Sequence, residues 1–192
     1  MRYGITGLAN RLYPGTLWGH GTRGLVWNPV FALLPVLYLE RFASSDGAPA
    51  IFWLLAFFLG FPHAGYTALE IRHYFQRDDG VADSQTWSQA CFFGAYAVFG
   101  GALAAWYVAR GGGVLGERLS INPSILMPVL ALAGAVGTVM GLQDVLVMDL
   151  LVRPSRVLRA SVRALTSWAC LRITLAWALL QLALASILRA CL

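Results

Sequence analysis

Lysine is missing from this chain: every one of its 14 basic residues is arginine. That bias fits a GC-rich coding sequence before any chemical need, although arginine also grips lipid phosphates in a planar fork that lysine lacks. Charge of either sign is scarce, at 12% of residues, against about one-quarter in an average soluble domain. Histidine occurs three times, which excludes a metal site of four histidines. The three cysteines, Cys91, Cys170 and Cys191, form no CxxC or Cys/His cluster, so they read as small buried thiols. The first 24 residues hold no apolar core followed by a small-residue cleavage site, so no secretory signal is expected and the first span would serve as the insertion signal. A serine nucleophile elbow, a His-box and an aspartate-rich prenyl motif are likewise missing. The glycine-rich stretch RGGGVLGERLSINPS follows no strand and carries no phosphate-loop lysine, which excludes a nucleotide loop and leaves a flexible turn.

What is present is apolar length. The 192 residues are 58% hydrophobic with a mean hydropathy of +0.66. Several windows of roughly 16 to 25 residues carry few charges, the length a helix needs to cross about 30 Å of hydrocarbon. The expected fold is an all-α integral membrane bundle, a single transmembrane domain over 1–192. About five helices are expected, near 25–39, 50–69, 87–109, 124–150 and 165–188. The first is short and holds Pro29 and Pro35, each of which removes a backbone hydrogen bond. Residues 1–24, with Tyr13, Trp18 and His20, read as a cytoplasmic or interfacial segment. The net charge of +5 is expected to face anionic lipid rather than nucleic acid.

Arginines near the span ends set the orientation, since cytoplasmic loops carry the excess of positive charge. Arg2, Arg11, Arg23, Arg72, Arg77, Arg153, Arg156, Arg159 and Arg163 fall on one side, and Arg41, Arg110, Arg118 and Arg189 on the other. A cytoplasmic N-terminus and an external C-terminus are expected, in a bacterial inner membrane or an organellar one. Arg153, Arg156, Arg159 and Arg163 also form a helical stripe, so 153–164 reads as a short basic amphipathic helix on the anionic leaflet. Two sets of small residues at four-residue spacing, Ala97, Gly101 and Ala105, then Ala133, Gly137 and Gly141, let helix backbones approach closely. They are expected to pack those two spans together or to dock another subunit.

The polar exceptions carry whatever chemistry the chain has. His63, Tyr66, Glu70, His73 and Arg77 recur at spacings of three and four and share one helical face. From Glu70 onward this face reads as an ordinary charged helix exit, with Tyr66, Glu70 and His73 as candidate substrate or lipid contacts. His63 lies deeper and needs a partner. With helix ends counted from the span boundaries, Asp144 and Arg172 fall at a similar depth to His63, so the three form a candidate polar layer. Thr138, Gln143 and Thr174 are candidates to complete its hydrogen bonding. No protein metal site is expected. Haem or a pigment is compatible with His63 only if further ligands come from His20 or a partner, because His63 and His73 lie about 15 Å apart on one helix. Three functions fit, in this order: a non-catalytic membrane subunit packing against other transmembrane subunits and lipids; a small intramembrane enzyme acting on a lipid or isoprenoid; and a proton-coupled transporter or channel using the His63–Asp144–Arg172 layer.

Overall fold

The structure is a computed structural model that describes residues 16–17, 20–69, 87–143, 145 and 149–191. A two-residue antiparallel pairing, β1 (Thr16–Leu17) with β2 (His20–Gly21), precedes the first helix. The rest is helical: α1 (Thr22–Ser44), α2 (Gly47–Gly60), α3 (Pro62–Leu69), α4 (Trp87–Leu119), α5 (Pro123–Leu142), α6 (Asp149–Val152), α7 (Pro154–Thr166) and α8 (Trp168–Cys191). Four segments are long and apolar enough to cross a membrane: Gly47–Leu69, Cys91–Leu119, Pro123–Leu142 and Trp168–Cys191. A fifth such helix is expected from the sequence, and α1 occupies its place as a 23-residue helix with Pro29 and Pro35 inside it. It is not among the four, and it carries Arg23, Glu40 and Arg41 alongside those prolines.

Local chemistry explains the element ends. Asn122 caps α5, its side chain accepting from the Ser124 N–H at 2.9 Å, and Pro123 takes the first helical position, where no N–H is needed. Ser120, at φ +54°, turns the chain out of α4 in the left-handed conformation that commonly ends helices.

The glycine-rich stretch after Arg110 is not a turn. Helix α4 runs through Gly111, Gly112, Gly113 and Gly116 to Leu119, 33 residues in all, or about 50 Å. The glycines answer to packing: a Cβ on Gly112 would lie 2.7 Å from Met127 Cγ, and one on Gly116 would lie 2.7 Å from Pro123 Cγ. The start of α5 therefore seats directly on the α4 backbone. Glycine lowers helix propensity by about 1 kcal/mol, and this close approach offsets that loss.

The interior is built from small residues and a few aromatics. Alanine is the commonest core residue, with Ala32, Ala64, Ala104, Ala105, Ala135, Ala164 and Ala185 essentially inaccessible. Phe57 stacks on Phe61 with ring centroids 5.1 Å apart, Tyr107 meets both edge-on, and the Tyr107 hydroxyl donates to the Ala32 carbonyl of α1. Large apolar side chains lie outside, among them Ile51, Phe52, Leu55, Val98, Ile125 and Leu179. Small residues within and branched apolar residues without is the arrangement of helices that associate by packing in an apolar solvent.

Both ends of the bundle are tied by polar contacts. At one end Arg110 pairs with Glu40 at 3.3 Å and Arg118 with Asp46 at 3.0 Å, while the Arg118 guanidinium lies over the Phe42 ring. At the other end α7 is held by Ser161 Oγ donating to Met140 Sδ of α5 and by Thr174 Oγ1 of α8 donating to the Ala164 carbonyl at 3.1 Å.

One glycine pair tests the packing argument. A Cβ on Gly100 would press into the Ala64 carbonyl oxygen at 2.6 Å and the Ala68 backbone, whereas one on Gly113 meets nothing within 4 Å. Gly100→Ala is expected to destabilise the protein by about 1–3 kcal/mol or more, and Gly113→Ala to stabilise it by up to about 1 kcal/mol. Thermal unfolding in mild detergent, followed by circular dichroism, reads both.

Candidate functional site

The sequence GFPHAGYT, residues 60–67, forms the centre of the site because proline interrupts the helix there. Pro62 has no N–H to continue the α2 ladder, so α2 ends at Gly60. The Phe61 N–H still reaches the Phe57 carbonyl at 2.8 Å, and the Ala64 N–H closes a tighter turn on the Phe61 carbonyl at 3.2 Å. The chain restarts as α3, which seats on glycines of α5. A Cβ on Gly134, Gly137 or Gly141 of α5 would lie 2.6 Å from Phe61, 2.6 Å from Pro62 and 3.0 Å from Tyr66 respectively.

Polar groups concentrate on this junction. Thr138 Oγ1 lies 2.8 Å from the Gly134 carbonyl and 3.2 Å from the Pro62 carbonyl, to which its single proton is shared. Thr67 Oγ1 donates to the His63 carbonyl at 2.9 Å and lies 3.4 Å from the Asn28 carbonyl of α1. From α8, Thr174, Trp177, Gln181 and Ala185 turn one buried face inward. Trp177 Nε1 and Gln181 Oε1 are buried without a hydrogen-bond partner among the described residues. Trp177 Nε1 would lie 2.7 Å from a Cβ on Gly65, and Gln181 Oε1 would lie 3.1 Å from one on Gly134. Each therefore abuts a glycine backbone. A buried polar atom left unsatisfied costs about 1–3 kcal/mol, and such departures from local rules concentrate at functional or strained positions.

His63 is half-buried at the start of α3. Its ring meets Phe31 of α1 edge-on at 6.0 Å and lies against Tyr66 at 5.6 Å. Arg172 is exposed on α8, on the side opposite the buried Thr174, Trp177 and Gln181, with its guanidinium 5.7 Å from the Trp168 ring. The structure thus does not bring Arg172 into a layer with His63. Asp144, Glu70 and His73 lie outside the described residues. Tyr66 packs on Gly141. Gln143 Nε2 approaches Cys170 Sγ at 3.9 Å. Among the described residues no three His, Cys, Asp or Glu side chains come together as a metal site.

The two small-residue stripes have different fates. Gly137 and Gly141 of α5 are filled by Pro62 and Tyr66 of α3, within the same chain. Ala97, Gly101 and Ala105 of α4 instead run along the floor of an apolar groove of about 540 Å³, Gly101 and Ala105 themselves buried, whose other wall is Trp177, Leu184 and Leu188 of α8. A Cβ on Gly101 would meet nothing closer than Trp177 Cη2 at 4.0 Å. Trp177 is thus a shared wall, its indole N–H toward the polar junction and its outer ring edge toward the groove.

Trp177 and Gln181 escape a sequence reading that looks for charge. Their signal is the spacing of Thr174, Trp177 and Gln181 by three and four, which puts three polar-capable side chains on one face of an otherwise apolar span. No protein-family model, curated protein or solved structure matches this chain.

Gln181→Met keeps the side-chain volume and removes the unsatisfied oxygen. It is expected to hold the stability or raise it by up to about 2 kcal/mol. Detergent unfolding measures this, and a loss of stability would show that the amide is engaged.

Proposed function

We propose that this protein is a helix-packing subunit of a membrane assembly, receiving a transmembrane helix of a partner in the groove between α4 and α8. The observation that carries the reading is the contrast between the stripes: the α5 stripe is closed by the chain's own α3, while the α4 stripe lines an apolar groove. In hydrocarbon there is no hydrophobic drive between helices, so close backbone approach over small residues is what an associating helix exploits. On this reading α1 crosses the membrane with the four more apolar segments, and the end bearing α7 faces the cytoplasm by the arginine excess.

A second reading draws on the same groove. An acyl or isoprenoid chain also fits an apolar trough, and Trp177, shared with the polar junction, makes a lipid-directed enzyme its natural form. The transporter reading leaned on Arg172 as part of an intramembrane layer, and its exposed stacking on Trp168 withdraws that support.

Gly101→Leu adds bulk to the groove at a position where a Cβ would meet nothing closer than Trp177 Cη2 at 4.0 Å. Purified in mild detergent and weighed intact, the native chain is expected to carry a stoichiometric second membrane subunit, and Gly101→Leu to lose it while keeping its helicity and melting temperature. A single lipid-sized mass displaced by Gly101→Leu would favour the second reading. A monodisperse monomer carrying neither would sink both. Orientation has its own check: Cys191 is exposed near the end opposite α7, so an impermeant maleimide applied outside sealed right-side-out vesicles is expected to label it.

A further inference from the structure

Helix α7 divides into three faces. Successive steps of about 100° place Ala160 and Ala164 on one side, and these are the residues it buries against the bundle. Leu158, Val162 and Leu165 fall together in a second arc and stay exposed, at 66%, 50% and 45%. Arg156, Arg159 and Arg163 fill the third. Arg156 is engaged by Asp149 at 3.2 Å. Arg159 spends its Nε on the Ser155 carbonyl, leaving the outer nitrogens of its fork, and Arg153 and Arg163 are exposed. Among the described residues no acidic side chain pairs with Arg153, Arg159 or Arg163. A second observation lies at the corner where α7 meets α8: Trp168 is 70% exposed, and Arg172 reaches over its ring at 5.7 Å. An exposed tryptophan beside an arginine is the side-chain pair of a membrane–water boundary.

A helix in water has no use for an exposed ridge of three branched apolar residues. A transmembrane helix has none for an arginine face. We propose that α7 lies in the headgroup plane of an anionic leaflet, with Leu158, Val162 and Leu165 in the upper acyl region and Arg153, Arg159 and Arg163 on phospholipid phosphates. Charge complementarity selects the occupant. Arginine's planar fork binds a phosphate through two parallel hydrogen bonds, and the ridge beside it matches the acyl chains below that phosphate, so the two faces together fit an anionic phospholipid rather than a soluble phosphate or an acidic protein. The alanine face fixes the helix to α5 and α8, so the anchor also sets the depth of the whole bundle. This inference rests on the bundle's lying in a bilayer and not on the partner helix in the α4–α8 groove.

The test uses the full chain in nanodiscs, with its three cysteines changed to serine and Val162→Cys carrying an environment-sensitive fluorophore. In discs containing phosphatidylglycerol the label is expected to be quenched by acyl-chain spin-labelled lipid and protected from aqueous iodide. Spin-labelled phosphatidylglycerol is expected to associate several-fold more strongly than phosphatidylcholine, by up to about fivefold per arginine. Arg159→Gln combined with Arg163→Gln, or high salt, is expected to abolish most of that preference. A label open to iodide would overturn the proposal. So would a label shielded from both quenchers, which would mean protein covers the ridge, and so would a phosphatidylglycerol preference unchanged in the double variant. None of these results depends on whether a partner subunit co-purifies.

Discussion

The bundle depends on one contact, the seating of α3 against bare backbone. Ala64 and Ala68 press on Gly100 of α4, while Phe61, Pro62 and Tyr66 press on Gly134, Gly137 and Gly141 of α5. No side chain larger than hydrogen fits at Gly100 or Gly137 without displacing the neighbouring helix. Pro62 removes one N–H from the ladder between α2 and α3, and its own ring fills the notch at Gly137. Gly60 serves the same break from the other side, where a Cβ would lie 2.9 Å from Pro35 Cγ of α1. Two proline-bearing segments thus nest where each has lost part of its backbone ladder.

Such close seating leaves little room for polar side chains and explains which ones remain. Thr67, Thr138 and Thr174 are fully buried, and each finds a carbonyl four residues back on its own helix, with a second on a neighbour. Short hydroxyls can return their proton to the backbone in this way. Trp177 and Gln181 are too long for it, and their outer atoms end against glycine. The same tight junction is therefore both the stable centre of the fold and the place where two polar atoms are held at a cost. The open groove lies against its outer side.

Much of this architecture is legible in the sequence. Composition and apolar runs give the helical class, whereas Pro29 and Pro35, which suggest a short first helix, lie inside the 23-residue α1. What is not legible follows from helix ends that local patterns leave open. The last span reads as beginning near 165, which puts Arg172 about 10 Å deep. Ser167 instead separates α7 from α8, so Arg172 sits one turn past Trp168, where it stacks. The glycine run after Arg110 reads as a turn because glycine disfavours helix, yet tertiary packing against Met127 and Pro123 overrides propensity. Likewise the two small-residue stripes suggest one another as partners, and only the folded chain reveals that α3 takes one of them.

The charge positions bear on how the bundle would sit in a bilayer. Between Arg23 and Glu40 on α1, and between Arg172 and Arg189 on α8, the uncharged stretch is about 25 Å long, and the corresponding stretch of α4 from Trp87 to Arg110 is about 35 Å. The Glu40–Arg110 pair brings the upper limits of α1 and α4 to one level. These lengths match the roughly 30 Å of hydrocarbon a bilayer offers. On the membrane reading, Glu40 and Arg110 then lie at one headgroup plane and Arg172 with the α7 arginines at the other. The glycine-lined end of α4 projects past the first plane. There its polar neighbours, Asp46, Glu117, Arg118 and Asn122, can meet water, and its two glycine contacts with α5 hold the projecting ends together. His63 falls between the two planes, against Phe31 and Tyr66 and directly after Pro62.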